Sequence, residues 1–413
     1  MGDFKYKIAK ALVEKQFIEK VVTKIDKYLS IFTVKILSLS TPIRNNKIIF
    51  MTFQGAFTCN AKYIAEEIVR QNLPWDIVFV MNKTNYIKYK NNPEFLPNIR
   101  VVERCSYEFY LECLSAKVWI DNAHNFFWED VPKKRDQIMI NTWHGSMGLK
   151  RINPKDDKNI TRVKKASRCD KDTDFLISNS DFENQVYRET YWPTRKILKF
   201  GHPRNDMFIN KDLGLVHSLK EKIALKYGFD KNLKIALYAP TFRDNKTLEC
   251  YSLDYISLKN ALERKFGSKW VILVKYHFHV AEKVLDKGYI IDENVINATD
   301  YEDIQELMLV SDVGITDYSS WICDYVLTRK IGFIFATDID LYNTERGLYY
   351  PLESTPFPIA TTNEEMEKII LSFDEEKYRI DVETFLKEKG CVEDGMAAKR
   401  VVKKLIEIIG RKD

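Results

Sequence analysis

The feature that most constrains this chain is a repeated alternation of short apolar runs with helical segments. After residue 47 the pattern is strand, turn, helix, many times over. Ile48–Phe53, Ile77–Met81, Lys117–Asp121, Gln137–Thr142 and Phe175–Ser178 read as strands, with helices such as Asn60–Arg70 and Asp181–Thr190 among them. A second series begins near Gly201. It has strands at Lys234–Tyr238, Trp270–Lys275, Val313–Thr316 and Gly332–Phe335, and helices at Leu253–Phe266, Tyr301–Leu309 and Ser319–Thr328. Met396–Ile409 reads as a closing amphipathic helix. Strands that alternate with helices build parallel sheets covered on both faces. A chain of 413 residues is also too long for one ordinary core. The expected fold class is therefore α/β, with two Rossmann-like domains facing a cleft. The first is expected over residues 42–200, the second over 201–390, and a C-terminal helix over 391–413. In open sheets of this kind ligands bind beyond the carboxyl ends of the strands, so the polar residues there are the candidates for function.

Residues 1–41 form a separate basic segment. Ile8, Leu12, Val13, Phe17, Ile18, Val21, Val22, Ile25 and Leu29 recur at helical spacing, with lysines on the other face. Such a helix suits an anionic membrane surface, and equally suits packing on the main body with its lysines solvated. The net charge of +5 fits acidic substrates or anionic lipid and does not call for nucleic acid. The 7 cysteines include no CxxC pair, which argues against a disulfide framework or a zinc site and for a reducing compartment. No apolar run is long enough to span a bilayer, and the N-terminus lacks the order of a signal peptide. The expectation is a protein of the cytoplasm. No P-loop, GxGxxG, HExxH or GxSxG pattern is present, which sets aside P-loop kinases, classical dehydrogenases, zincins and serine hydrolases.

Several strand ends carry chemistry. Asn141-Thr-Trp-His144-Gly145-Ser-Met-Gly148-Leu-Lys150-Arg151 follows a strand directly. A histidine there can act as a general base near neutral pH, and Lys150 and Arg151 can hold an anionic acceptor or a phosphate; the plainer reading is a histidine in an ordinary turn. Thr316-Asp317-Tyr318-Ser319-Ser320 lies between a strand and a helix. Backbone N–H groups and hydroxyls in that position bind phosphate, and Asp317 or Ser319 can equally serve as a helix cap. Thr241 and Arg243 sit in the loop after Lys234–Tyr238, where a guanidinium can grip a phosphate or pair with Asp244. His277 and His279 end a strand on one face. With no third ligand near them, phosphate contact is a better reading than metal. Gly201-His-Pro-Arg204-Asn205-Asp206, at the domain junction, reads first as a structured turn.

Taken together these stretches resemble the CDP-glycerol glycerophosphotransferase family of teichoic-acid and capsule synthesis. The resemblance runs from about Phe50 to Ile370. Phe53-Gln-Gly55-Ala-Phe-Thr-Cys-Asn60 is similar to the family's first Gly/Asn turn, and Thr142-Trp-His144-Gly145 with Leu149-Lys150 to its TWHG…LK motif. Gly201–Asp206 resembles its G-x-PRND element, and Tyr238–Asp244 its YAPTWRD element. Asp312–Tyr325 resembles its D-x-x-ITDYSS-x-x-FDY signature, and Arg346-Gly347-Leu-Tyr349 its RGFY element. Ser146-Met147, His277-Phe278 and Pro356-Phe357-Pro358 depart from the family pattern.

The resemblance implies a GT-B-like fold with the donor in the C-terminal domain. It implies that an acceptor hydroxyl attacks the β-phosphorus of a CDP-polyol, releasing CMP, without a metal or cofactor. His144 would be the base. His277 would be a second catalytic histidine that also holds the donor pyrophosphate. Arg243, Thr241, Thr316, Asp317, Ser319, Ser320 and Arg346 would serve the donor, and Lys150, Arg151 and Asn60 the acceptor. The acceptor would be lipid-linked, placing the enzyme at the cytoplasmic face of the membrane; an oligomer is compatible with the sequence. Glycerol or ribitol donor, and primase or polymerase, stay open. So do a nucleotide-sugar glycosyltransferase of the same architecture and a non-catalytic scaffold.

Overall fold

The structure, a computed structural model, describes residues 33–92, 95–96, 98–128, 131–148, 150–151, 167–241, 251–276, 294–339, 341–342 and 347–410. The basic helix expected over residues 4–32 lies outside them. Residues 33–40 are helical, with Val34 buried against the first core while Ile36 and Leu39 remain exposed.

The described strands form two sheets, and every described pairing is parallel. The first sheet contains β1 (Arg44–Met51), β2 (Asp76–Met81), β3 (Ile99–Glu103), β4 (Ala116–Asp121), β5 (Ile138–Asn141), β6 (Phe175–Ser178) and β7 (Lys196–Lys199). Its order is β3-β2-β1-β4-β5-β6-β7. The second contains β8 (Lys234–Tyr238), β9 (Trp270–Val274), β10 (Val295–Asn297), β11 (Val313–Thr316), β12 (Ile331–Phe335) and β13 (Ile359–Ala360), in the order β10-β9-β8-β11-β12-β13. Each sheet thus repeats the doubly wound order, whose direction reverses beside its first strand. The two switch points lie between β1 and β4 and between β8 and β11. This is the twin Rossmann-like, GT-B-like arrangement the sequence implied.

Burial on both faces explains why the central strands carry apolar runs such as Ile48–Met51 and Trp270–Val274. Because side chains alternate along a strand, Ile49, Met51, Val78, Val80 and Trp119 enter one core, whereas Ile48, Phe50, Ile77, Phe79, Val118 and Ile120 enter the core on the opposite face. The pairing of Phe50 with Phe79 brings their rings into a stack at 4.8 Å. The second sheet has a larger core of its own, which also takes in Phe208, Leu219 and Ile223 from the helices just after the junction.

The C-terminal helix, Ala397–Ile409, returns to the first sheet. Its Val401, Val402, Leu405 and Ile408 pack with Ile64 and Ile68 of the Cys59–Arg70 helix. Asp206 at the domain junction accepts hydrogen bonds from the backbone N–H groups of Ala397 (2.9 Å) and Ala398 (2.8 Å), capping that helix. The two halves are therefore joined by a chain that crosses twice. Replacing the fully buried Leu405 by alanine should cost about 2–5 kcal/mol in chemical denaturation; a loss within experimental scatter would mean that the helix does not cover this core.

Candidate active site

The carboxyl ends of β1, β4 and β5 build the surroundings of His144. Asp121 ends β4 and turns the chain by accepting from Ala123 N (2.9 Å) and Asn125 Nδ2 (2.6 Å). Burial pushes the Asp121 carboxyl up to about 6, against these hydrogen bonds. The turn presents the Asn122 carbonyl to His144 Nδ1 at 2.7 Å. A carbonyl can only accept, so Nδ1 carries the proton and Nε2 keeps its lone pair. Asn122 also accepts from Phe53 N through its side chain (2.7 Å), which fixes Phe53 where it stacks on the imidazole at 5.8 Å. The ring is reached by solvent yet has protein closely around it. That desolvation lowers its pKa below the ordinary 6.5; the Asn122 carbonyl opposes the shift and the Arg204 guanidinium adds to it.

The loop that carries His144 is held from below. Trp143 adopts a left-handed φ of 50°, and its indole packs among His124, Tyr191 and Trp192. A Cβ on Gly145 would stand 2.8 Å from Trp143 Nε1, so only glycine fits there. Asn60 donates to both Thr142 O and Trp143 O at 3.2 Å.

The same loop then crosses to the second domain. Met147 is fully buried in that domain's core, and its carbonyl accepts from Tyr350 OH. A Cβ on Gly148 would lie 3.2 Å from Ser320 Cβ. Lys150 bridges Leu348, and Arg151 N donates to Gly347 O at 3.1 Å. The loop after His144 is thereby brought to the end of β11, where Ser319 and Ser320 are partly exposed.

Residues 33–407 match the family described as CDP-Glycerol:Poly(glycerophosphate) glycerophosphotransferase. The chain belongs to this family. It is an enzyme of the polyol-phosphate transferase class. The teichoic acid poly(glycerol phosphate) polymerase of Bacillus spizizenii is 28% identical over 381 residues, covering 88% of this chain and 93% of that protein. The polymerase of the same description from Staphylococcus epidermidis is 29% identical over 384 residues, 87% of this chain but 50% of that protein. A solved structure of the wall teichoic acid polymerase TagF aligns with a TM-score of 0.77 at 26% identity, covering 94% of this chain and 96% of that one.

Within the transferase, the residues singled out from sequence fall into three groups. His144, Lys150 and Arg151 lie on the crossing loop, whose Gly148 sits against Ser320, next to Ser319. Asn60, Thr316 and Asp317 are buried with their side chains bonded to protein, and Thr241 is buried with its backbone N and O hydrogen-bonded. Asn60, expected at the acceptor, holds the His144 loop instead. Thr316 Oγ1 donates to Ala239 O (2.8 Å), and Asp317 Oδ1 accepts from Thr241 N (2.8 Å) and Tyr318 N (2.6 Å). These bonds tie the loop after β8 to the loop after β11. Arg243, His277 and Arg346 lie outside the described residues. The expected Ser319–Thr328 helix is a shorter one, Trp321–Tyr325, followed by a 3-10 turn at Val326–Thr328, and no side chain caps it. The Asn122 carbonyl went unread because a backbone oxygen leaves no mark in residue identity.

Asn60→Asp keeps the shape but turns a donor into an acceptor facing carbonyl oxygens. It should destabilise the protein by about 2–5 kcal/mol in thermal or chemical unfolding. Unchanged stability would mean that Asn60 does not hold the loop.

Proposed function

We propose that this transferase passes glycerol phosphate from CDP-glycerol to a hydroxyl of a lipid-linked teichoic-acid or capsule acceptor, with His144 as general base. The observation that carries the reading is the Asn122 carbonyl on His144 Nδ1, which leaves Nε2 unprotonated and able to take a proton. The acceptor oxygen forms a bond to the β-phosphorus, the bond from that phosphorus to the bridging oxygen breaks, and CMP leaves with the electron pair. The acceptor's hydroxyl proton passes to Nε2. The chemistry is largely one of positioning and charge stabilisation.

Ser319 and Ser320, beside Gly148, suit contacts to the donor phosphates, with Arg243, His277 and Arg346 supplying further cationic or hydrogen-bonding groups. Thr241, Thr316 and Asp317 shape the loops that present them. Lys150 and Arg151 are suited to an anionic acceptor. No described helix is long and apolar enough to cross a membrane. In this reading the basic segment of residues 1–41 brings the enzyme to the anionic cytoplasmic face, where a lipid-linked acceptor is met.

CMP release with CDP-glycerol and a lipid-linked acceptor analogue tests the reading directly. CDP-ribitol and UDP-sugars in parallel assays separate the alternative donors. His144→Ala should lose about a hundred- to ten-thousand-fold in turnover while staying folded, and near-normal turnover would sink the base assignment. Because the His144 pKa is depressed, the neutral, base-competent ring persists below the ordinary histidine range. kcat/KM should therefore hold through neutral pH and fall only below pH 6.5. An acid limb above that value would mean that burial does not depress the His144 pKa.

A further inference from the structure

We propose that Arg204 is a positioning residue for phosphoryl transfer, which holds the His144 loop in register with the donor end of the second domain by binding Gly145 O and Asp324 at once. The proposal rests on the reading of His144 as the base.

Arg204 lies in the 3-10 turn Pro203–Asn205 at the domain junction and is fully buried. Its Nη2 donates to Gly145 O at 2.6 Å, one residue beyond His144. Its Nε donates to Asp324 Oδ2 at 2.9 Å. Nη1 lies 3.5 Å from Cys59 Sγ, and the backbone N donates to Asn60 Oδ1 at 3.2 Å. The second carboxylate oxygen of Asp324 accepts from Asn205 Nδ2 at 3.0 Å. Asp324 belongs to the short Trp321–Tyr325 helix, which begins directly after Ser319 and Ser320.

A pair serving stability alone would need only the carboxylate. Here one planar guanidinium also engages the carbonyl next to the proposed base. Its donors diverge at fixed angles, so the spacing between the His144 loop and the donor-side helix is set by a rigid group. A lysine ammonium carries the same charge on a flexible stem and lacks this fork. The loop is also held by Asn60, and Tyr350 OH joins Met147 O to Cys323 of that helix; Arg204 alone of these engages Gly145 O. The Arg204 charge also reaches the imidazole. The other groups described against that ring, Phe53, Trp143 and the Asn122 carbonyl, carry no charge.

The test uses the full chain with CDP-glycerol and an acceptor analogue. Arg204→Lys should fold, with its melting temperature lowered by only a few degrees. Its kcat should fall by about tenfold or more with KM for CDP-glycerol within about threefold, the pattern of a misplaced reacting group. Its acid limb should stay in place, because the charge is kept. Arg204→Gln should show the same loss and move the acid limb to higher pH, since a cation that depresses the His144 pKa is gone. In a His144→Ala background, Arg204→Lys should cost less than about twofold more, because residues acting through one group are not additive. Normal kcat in Arg204→Lys, or an equal loss in both backgrounds, would overturn the positioning role. If Arg204→Gln does not fold, the lysine variant and the double-mutant comparison still decide the matter. Near-normal turnover by His144→Ala alone would overturn the base reading itself. A proper His144→Ala defect with an additive Arg204→Lys loss would overturn only the role given to Arg204.

Discussion

The buried ion pair of Arg204 with Asp324, extended by Arg204 to Gly145 O, is where the two halves of the molecule are set against each other. Taking both charges out of water costs several kcal/mol per ion, and their attraction offsets this only when geometry and hydrogen bonding are good. Such a pair therefore contributes less to net stability than to geometry. The surrounding turn supplies the missing bonds. Asn205 Nδ2 reaches both Asp324 and Glu393, His202 N donates to Glu393, and Asp206 caps the returning C-terminal helix. Burial raises the Glu393 carboxyl to about 7, with the nearby His202 and Asn205 opposing the shift. A second contact on the same side joins Lys62 of the Cys59–Arg70 helix to Asp303 and Glu306, at 2.6 and 2.7 Å. The cleft is thus bounded by fixed polar joints as well as by apolar packing.

Much of this was readable from sequence wherever strands are buried on both faces. The central strands β1, β4, β8 and β11 carry compact apolar runs such as Ile48–Met51, Val118–Ile120 and Ile235–Tyr238, because each has a strand on either side and a covered surface above and below. The edge strands were not readable. β7, Lys-Ile-Leu-Lys, pairs on one side only and carries a lysine at each end. β3 includes Arg100, which reaches out to Asp76 and Glu112. The Leu213–Tyr227 helix was also missed, since Leu213 and Leu225 are exposed and blur its apolar stripe.

For the site, residue types were legible but their bonds were not. A threonine or aspartate at a strand end reads the same whether it faces a ligand or its neighbour's backbone. Thr316 and Asp317 spend their polar atoms on Ala239, Thr241 and Tyr318. Asn60 meets Thr142, Trp143, His202 and Arg204, all far along the chain. The domain-junction turn, read first as structural, proved to contain the residue that touches the His144 loop.

The loop from Asn141 to Arg151 gives these separate facts one physical meaning. Its first half belongs to the N-terminal domain: Asn141 bonds Ala123 O, and Trp143 is packed among aromatic rings. Its second half belongs to the other domain, with Met147 in that core and Lys150 bridged to Leu348. A left-handed tryptophan costs about 1–3 kcal/mol, and it persists only because its surroundings over-determine it. A loop so anchored cannot follow one domain alone. If the halves shifted, either Met147 would leave its core or the Arg204 fork would lose a partner. His144 and the serines after β11 therefore keep their separation through rigid contacts, which is the condition the proposed in-line transfer between groups from different domains requires.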